Sequence, residues 1–256
     1  MLTKSIKEAM VSRRSVRNFI DRPLDPKMRT AIESKCAVLA QSLAGQECRI
    51  VPVFRSMGGK IGSYGVIRNA QCWLVLVYRD SDVFSAVNAG MVMENMVLWL
   101  TSQGLGTCWV GGTFSRSDVS KYVAVRENDK IAAMVAAGEA AGRDSLLSGI
   151  MKSAIGSRHR KKFEELFKTE VDSPFRPALE MMCLAPSSYN SQPWRGIESP
   201  AGVMNFYTSM NNSSGFLNLG IALSHFTYFA PKGTWRVVEG APLYKGAVYA
   251  LSWISG

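Results

Sequence analysis

RPALEMMCLAPSSYNSQPW, from Arg176 to Trp194, carries two signals that decide how the chain is organised. Its first octet, RPALEMMC, answers an earlier one, RTAIESKC, at Arg29 to Cys36. Arg, Ala, Glu and Cys recur at identical spacing, and Ile32 is matched by Leu179. The remainder, APSSYNSQPW, sets Pro186 beside Ser187, Ser188, Asn190, Gln192 and a second proline. Proline fixes φ, and the short polar side chains hydrogen-bond locally, so the stretch reads as a rigid turn studded with donors and acceptors. A plain loop between a helix and a strand has the same outline. The residues alone leave both readings open.

A second pair of matches follows in the same order. NAGMVMENMVLWLTSQG, from Asn88, is answered by NLGIALSHFTYFAPKG, from Asn218, each opening Asn-x-Gly and continuing as a long apolar helix. Two ordered matches imply a duplication, and two copies make a fused pair rather than a solenoid. The copies differ in their fittings. After Cys36 the chain runs AVLAQSLAGQECRI, where Gln46 and Arg49 echo Gln192 and Arg195 but the Pro-Ser-Ser-x-Asn core is gone. Conversely, SRRSVRNF, Ser12 to Phe19, precedes the first helix, and nothing like it precedes the second. The expected halves are 1–168 and a shortened 169–256.

Bulk properties exclude several classes. At 256 residues with 47% hydrophobic and 20% charged content, the chain matches an ordinary globular protein. The longest uninterrupted apolar runs, CWLVLVY and MVLWL, fall well short of a bilayer. The opening MLTKSIKEAMVSRRS lacks an apolar signal core. We therefore expect no membrane and a cytoplasmic location. Cys36, Cys48, Cys72, Cys108 and Cys183 stand singly with no CxxC pair, which argues for reduced thiols and against a disulfide framework or zinc. With only His159 and His225, no histidine-rich metal site is expected. The net charge of +10 serves solubility. A nucleic-acid reader would interleave basic residues with exposed aromatics, and this chain does not. The charge gathers instead in SRRSVR and in SRHRKK, Ser157 to Lys162, two compact knots suited to a small phosphorylated ligand.

Helices and strands mix throughout. Asp25-Pro26 predicts a helix start, with the helix running to about Leu43. CWLVLVY and IAAMVAAG, Ile131 to Gly138, read as interior strands. Val83 to Gly104 is apolar on nearly every face and predicts a helix buried all round. In SRRSVRNF, the guanidinium forks of Arg13, Arg14 and Arg17 beside Ser15 suit a phosphate, although by composition alone a solvated basic helix end is the simpler reading. In GLGTCWVGGTF, Gly111 and Gly112 let backbone approach a flat ligand, while Gly104 and Gly106 fit a helix end and the turn after it. This is not a G-x-G-x-x-G fingerprint. RHRKKFEELF, Arg158 to Phe167, predicts a basic helix start, whose cations oppose the macrodipole and call for an anion. Cys108 and His225 read as core residues rather than catalysts.

SRRSVRNF, APSSYNSQPW and GLGTCWVGG together resemble the nitroreductase family of FMN-dependent oxidoreductases. The tandem arrangement is similar to its "putative TM nitroreductase" branch. The resemblance implies an α+β fold in which two fused half-repeats form an intramolecular pseudo-dimer, with mainly antiparallel sheets packed by helices. It implies one FMN per chain, held by Arg13, Arg14, Ser15 and Arg17 from the first half and by Pro186, Ser187, Ser188, Asn190 and Gln192 from the second. Val110, Gly111 and Gly112 match the segment lying along the isoalloxazine, and Arg158, Arg160 and Lys161 match a basic segment serving the phosphate. The implied reaction takes electrons from NAD(P)H, with the positive charge favouring NADPH, and passes them to a nitroaromatic, quinone or similar small acceptor. No side-chain catalyst and no metal are required. A flavin-binding sensor or carrier with little turnover is the alternative. Because the fusion removes the need for a twin, a monomer is expected.

Overall fold

The computed structural model describes residues 3–39, 48–54, 57, 66–142, 159–200 and 202–256. They fall into two compact units, the first built from Met1–Ser81 and Val92–Gly156, the second from Asp82–Met91 and Ser157–Gly256.

In unit 1 the chain opens with helix α1, Ile6–Ser12, started by a capping box. The Ser5 hydroxyl accepts from the Glu8 N–H at 3.2 Å, and the Glu8 carboxylate accepts from the Ser5 N–H at 2.7 Å. Helix α2, Pro26–Leu39, starts where Asp25-Pro26 predicts. The Asp25 carboxylate accepts from the Lys27 N–H at 2.9 Å, and proline sits where an amide would find no partner. The continuation to Leu43 lies outside the described residues. Strands β1, Cys48–Val53, and β2, Cys72–Arg79, follow, then helix α3, Val83–Ser102. Strand β3, Gly106–Val110, the single turn α4, Arg116–Val119, and strand β4, Asp129–Gly138, complete the unit. The sheet order is β1-β2-β4-β3, antiparallel throughout. CWLVLVY is buried along its whole length, as its branched and aromatic residues require of an inner strand.

Helix α3 answers its sequence reading, being buried on nearly every face from Ser85 onward. It also corrects the expectation drawn from uninterrupted apolar runs. Its 20 residues, with a window of mean hydropathy 1.3, are long and apolar enough to cross a membrane, and 78% of that window is buried within the chain.

Unit 2 begins its regular structure with the single turn α5, Phe163–Leu166, and the short β5, Phe167–Lys168. Helix α6, Arg176–Met182, strands β6, Trp194–Ser199, and β7, Val203–Thr208, helix α7, Ser213–Thr227, and strands β8, Gly233–Arg236, and β9, Val248–Ser255, follow. The sheet order is β5-β6-β7-β9-β8, with β5 parallel to β6 and all other pairs antiparallel. One face carries an aromatic cluster in which Phe226 meets Phe206 edge-on at 4.9 Å and Trp235 meets Trp253 at 4.8 Å. Helix α7 is capped by Asn212, whose side-chain oxygen accepts from the Gly215 N–H at 2.9 Å. It packs backbone to backbone against the first turns of α3, which group with this unit. A Cβ on Gly220 would lie 1.9 Å from the Val87 carbonyl oxygen, and one on Gly90 would lie 2.2 Å from that of Leu217. Only glycine fits at this crossing.

The two units repeat one plan. Each runs helix, strand, strand, helix, strand, strand, and each pairs those strands first-second-fourth-third. Each sheet carries a bulge between its second and fourth strands: Ala132 is passed over between Leu76 and Val77, and Ala250 between Phe206 and Tyr207. Leu76 and Phe206, Asn88 and Asn218, and Gly90 and Gly220 are all the same distance apart along the chain.

Candidate functional site

SRRSVRNF begins at a helix end, as one reading has it, and continues as an extended arm. Helix α1 stops at Ser12, and Arg13 is its C-cap. The arm then bridges Ser15 to Thr107, Asn18 to Arg68 and Phe19 to Ala140. The Val16 N–H donates to the Thr107 carbonyl at 2.9 Å. Gly106 permits this approach: a Cβ there would lie 2.8 Å from the Val16 side chain. Its role is therefore contact with the arm, while Gly104, at φ 83°, is the helix-ending glycine.

The arm's cations differ in their surroundings. Arg14 is exposed and donates to the carbonyls of Val11 and Arg13 at 2.8 and 2.7 Å. Arg13 is only 9% exposed. Its Nε, Nη1 of Arg17 and the Thr107 hydroxyl are buried with no hydrogen-bond partner. Burial draws the Arg13 guanidinium below its ordinary value, the negative charge of Glu94 opposes that pull, and Arg14 and Arg17 add to it. Arg13, Arg14, Lys4 and Thr107 line a cavity of about 280 Å³. A cavity walled by two arginines and a lysine suits an oxyanion. A second cavity in this unit, of about 440 Å³, is lined by Leu24, Asp25, Lys27, Met28, Leu105 and Glu139. Asp25 caps α2, and Glu139 accepts from Arg22 at 2.6 Å, so its carboxylates are already engaged.

In unit 2, APSSYNSQPW connects α6 to β6 through a 3-10 turn at Ser188–Asn190. Tyr189, Asn190 and Gln192 hold φ at 51°, 54° and 46°, a region that ordinary side chains resist. Neighbours fix this course. The Ser188 N–H donates to the Asn218 side chain at 2.9 Å, and the Gln192 N–H to the Ser187 hydroxyl at 3.0 Å. The Asn190 and Gln192 amides both donate to the His159 carbonyl, at 2.7 and 3.2 Å. Arg160 donates to the carbonyls of Leu184 and Ala185 and to the Asn190 side chain, at 3.1–3.2 Å. The Lys161 ammonium donates to the Ser191 carbonyl at 2.8 Å. Burial lowers the Lys161 pKa, and Arg195 lowers it further. Pro186 and Ser187 are half-buried in the same turn. Within it the Ser191 hydroxyl and the Trp194 indole N–H are buried without partners.

This overturns the predicted basic helix. The helix is one turn, Phe163–Leu166, with Lys162 at its N-cap and Glu164 and Glu165 in its first turn, so the cluster of cations inside a helix start is not formed and that argument for an anion falls. His159 to Lys161 instead run non-helically, and Arg160 and Lys161 spend their N–H groups on carbonyls of the turn. Arg158 lies outside the described residues. Val110 is buried in the hydrophobic core of unit 1 and ends β3, leaving Gly111 and Gly112 exposed just beyond.

None of the five cysteines is in a disulfide; burial raises the thiols of Cys36 to about 12 and Cys183 to about 11, which disfavours the thiolate, and Cys108 is part of the core. His225 is fully buried with Nδ1 3.2 Å from the Met181 carbonyl, the satisfied core residue expected. Among the described residues no cluster of metal-ligating side chains occurs. Sequence reading missed Thr107, Ser191, Trp194, Asn218 and Glu94. For Asn218 the signal was its place in the repeated Asn-x-Gly, and for Glu94 its solitary charge in an apolar helix.

Comparison with known proteins identifies the fold. The crystal structure of a "putative nitroreductase" from Thermotoga maritima shares the fold: TM-score 0.63 at 20% identity, over 98% of this chain and 94% of that one. A nitroreductase family protein from Clostridium novyi matches 54% of this chain and 87% of its own at 18% identity, with TM-score 0.46. A nitroreductase with bound FMN from Bacteroides fragilis matches 56% and 92% at 22% identity, with TM-score 0.44. No curated protein matches. The family model described as "Putative TM nitroreductase" matches residues 5–230, and with that span the chain belongs to this nitroreductase family.

Proposed function

We propose that the chain is an FMN-dependent oxidoreductase of the cytoplasm, taking electrons from NAD(P)H and passing them to a nitroaromatic, quinone or similar small acceptor. Family membership supports this reading. The observation that carries it is Arg13, a buried residue whose Nε has no hydrogen-bond partner and which lines a cavity together with Lys4 and Arg14. A guanidinium held this way is suited to the phosphate of a mononucleotide.

The residues present fit FMN. Arg13, Arg14, Ser15 and Arg17 would hold its phosphate, and the buried Thr107 hydroxyl adds an acceptor or donor. The exposed backbone at Gly111 and Gly112 admits a flat ring without side-chain interference. Pro186, Ser187, Ser188, Asn190 and Gln192 form a turn whose course is fixed by its own hydrogen bonds before any ligand arrives, so little ordering entropy is lost on binding. Arg160 and Lys161 support that turn. When bound, FMN supplies the two-electron chemistry. The chain's part is to bind and orient it, and no side chain is needed as acid, base or nucleophile. Binding of one FMN per monomeric chain follows from the single copy of each motif.

The test is spectroscopic. The purified protein is titrated with FMN, then reduced anaerobically with NADH or NADPH and challenged with a nitroaromatic or quinone. The expected result is one FMN per chain, bleached by nicotinamide and restored by the acceptor. No flavin binding overturns the reading. Bleaching without acceptor-dependent recovery identifies a flavin carrier or sensor instead.

A further inference from the structure

Glu94 has no exposed surface and sits midway along α3, in the portion that groups with unit 1. Its Oε2 accepts from the Trp109 indole N–H at 2.8 Å, which ties the helix to β3. Strand β3 in turn receives the basic arm, through the bridge from Ser15 to Thr107 and the hydrogen bond from the Val16 N–H. Arg13 stands two residues ahead of that bridge, buried, with Glu94 the strongest of the charges favouring its ionised form. Arg14 and Arg17 crowd it with like charge. An ionised group taken out of water needs a compensating one nearby, and removing one member of a buried pair is strongly destabilising.

A hydrogen-bond acceptor for Trp109 alone requires nothing more than a glutamine. The carboxylate adds charge. We propose that Glu94 is the resident counter-charge of the Arg13 cradle, a positioning residue that keeps the guanidinium buried at the wall of its cavity before an anion arrives. Only the identity of that anion rests on the flavin reading above.

The test needs no flavin. Glu94→Gln keeps the acceptor for Trp109 and deletes the charge, and Arg13→Met deletes the cation while keeping bulk. Each single variant lowers Tm by about 10 °C. The double variant loses much less than both losses together, because neither charge is then left alone. Inorganic phosphate at one fixed concentration raises the Tm of Glu94→Gln more than that of the wild type, since the ion supplies the missing negative charge. Losses that simply add, or equal phosphate gains in both proteins, overturn the proposal. If Glu94→Gln does not fold, the double variant decides: it must fold, and its failure overturns the proposal. A wild type that binds no FMN while showing the charge coupling would sink the flavin reading and leave this one standing.

Discussion

Unit 1 and unit 2 share a plan down to the bulge in their second and fourth strands, yet they differ in how they treat positive charge. In unit 1 the arm leaves Arg13 and Arg17 with buried, unpartnered N–H groups. In unit 2 Arg160 and Lys161 are consumed by carbonyls of the neighbouring turn. One set of cations keeps buried N–H groups without protein partners, whereas the other braces the protein's own backbone. One topology thus carries two different sets of fittings, because sheet order is set by many buried contacts and a fitting by a few polar ones.

The harshest trial of the shared scaffold is Gly220→Ala. The new methyl meets the Val87 carbonyl, and we expect a loss on the order of 3 kcal/mol, read from the midpoint of a denaturant titration. A shift within error would mean the crossing is not close-packed.

Next comes the contrast in cations. Arg17→Met should weaken FMN binding by roughly 10- to 100-fold, the worth of one charge-assisted hydrogen bond, with little change in Tm. Fluorescence titration checks it. Arg160→Met should act the other way round, lowering stability by about 1.5 kcal/mol as three acceptors lose their donor. Thermal melts of the two variants together test the contrast; equal behaviour would erase it. The smallest effect is a gain. Tyr189 is 77% exposed and held at φ 51°, so Tyr189→Gly should raise stability by about 0.5 kcal/mol in the same melts.

The fold was largely legible because its signals are local. CWLVLVY could only be an inner strand, Asp25-Pro26 could only open a helix, and the paired Asn-x-Gly helices announced the repeat. The site was legible in its motifs and illegible in its wiring. RHRKKFEELF has helical composition, but the His159 carbonyl is taken by the Asn190 and Gln192 amides, partners some thirty residues away that no local pattern reveals. The left-handed backbone at Tyr189 and Asn190 was hidden for the same reason: tertiary hydrogen bonds, not glycine, impose it. Glu94 looked like a blemish on an apolar helix until Trp109 and Arg13 gave it company.

The extra alanine in each sheet, Ala132 in one and Ala250 in the other, also dictates how this protein can be taken apart. Past that point each bulged strand has its inside and outside exchanged relative to an unbroken pattern. A chimera that imports β4 without β2, or β9 without β7, would therefore turn core side chains toward the wrong face. The natural cassette for grafting is the bulged pair, moved whole.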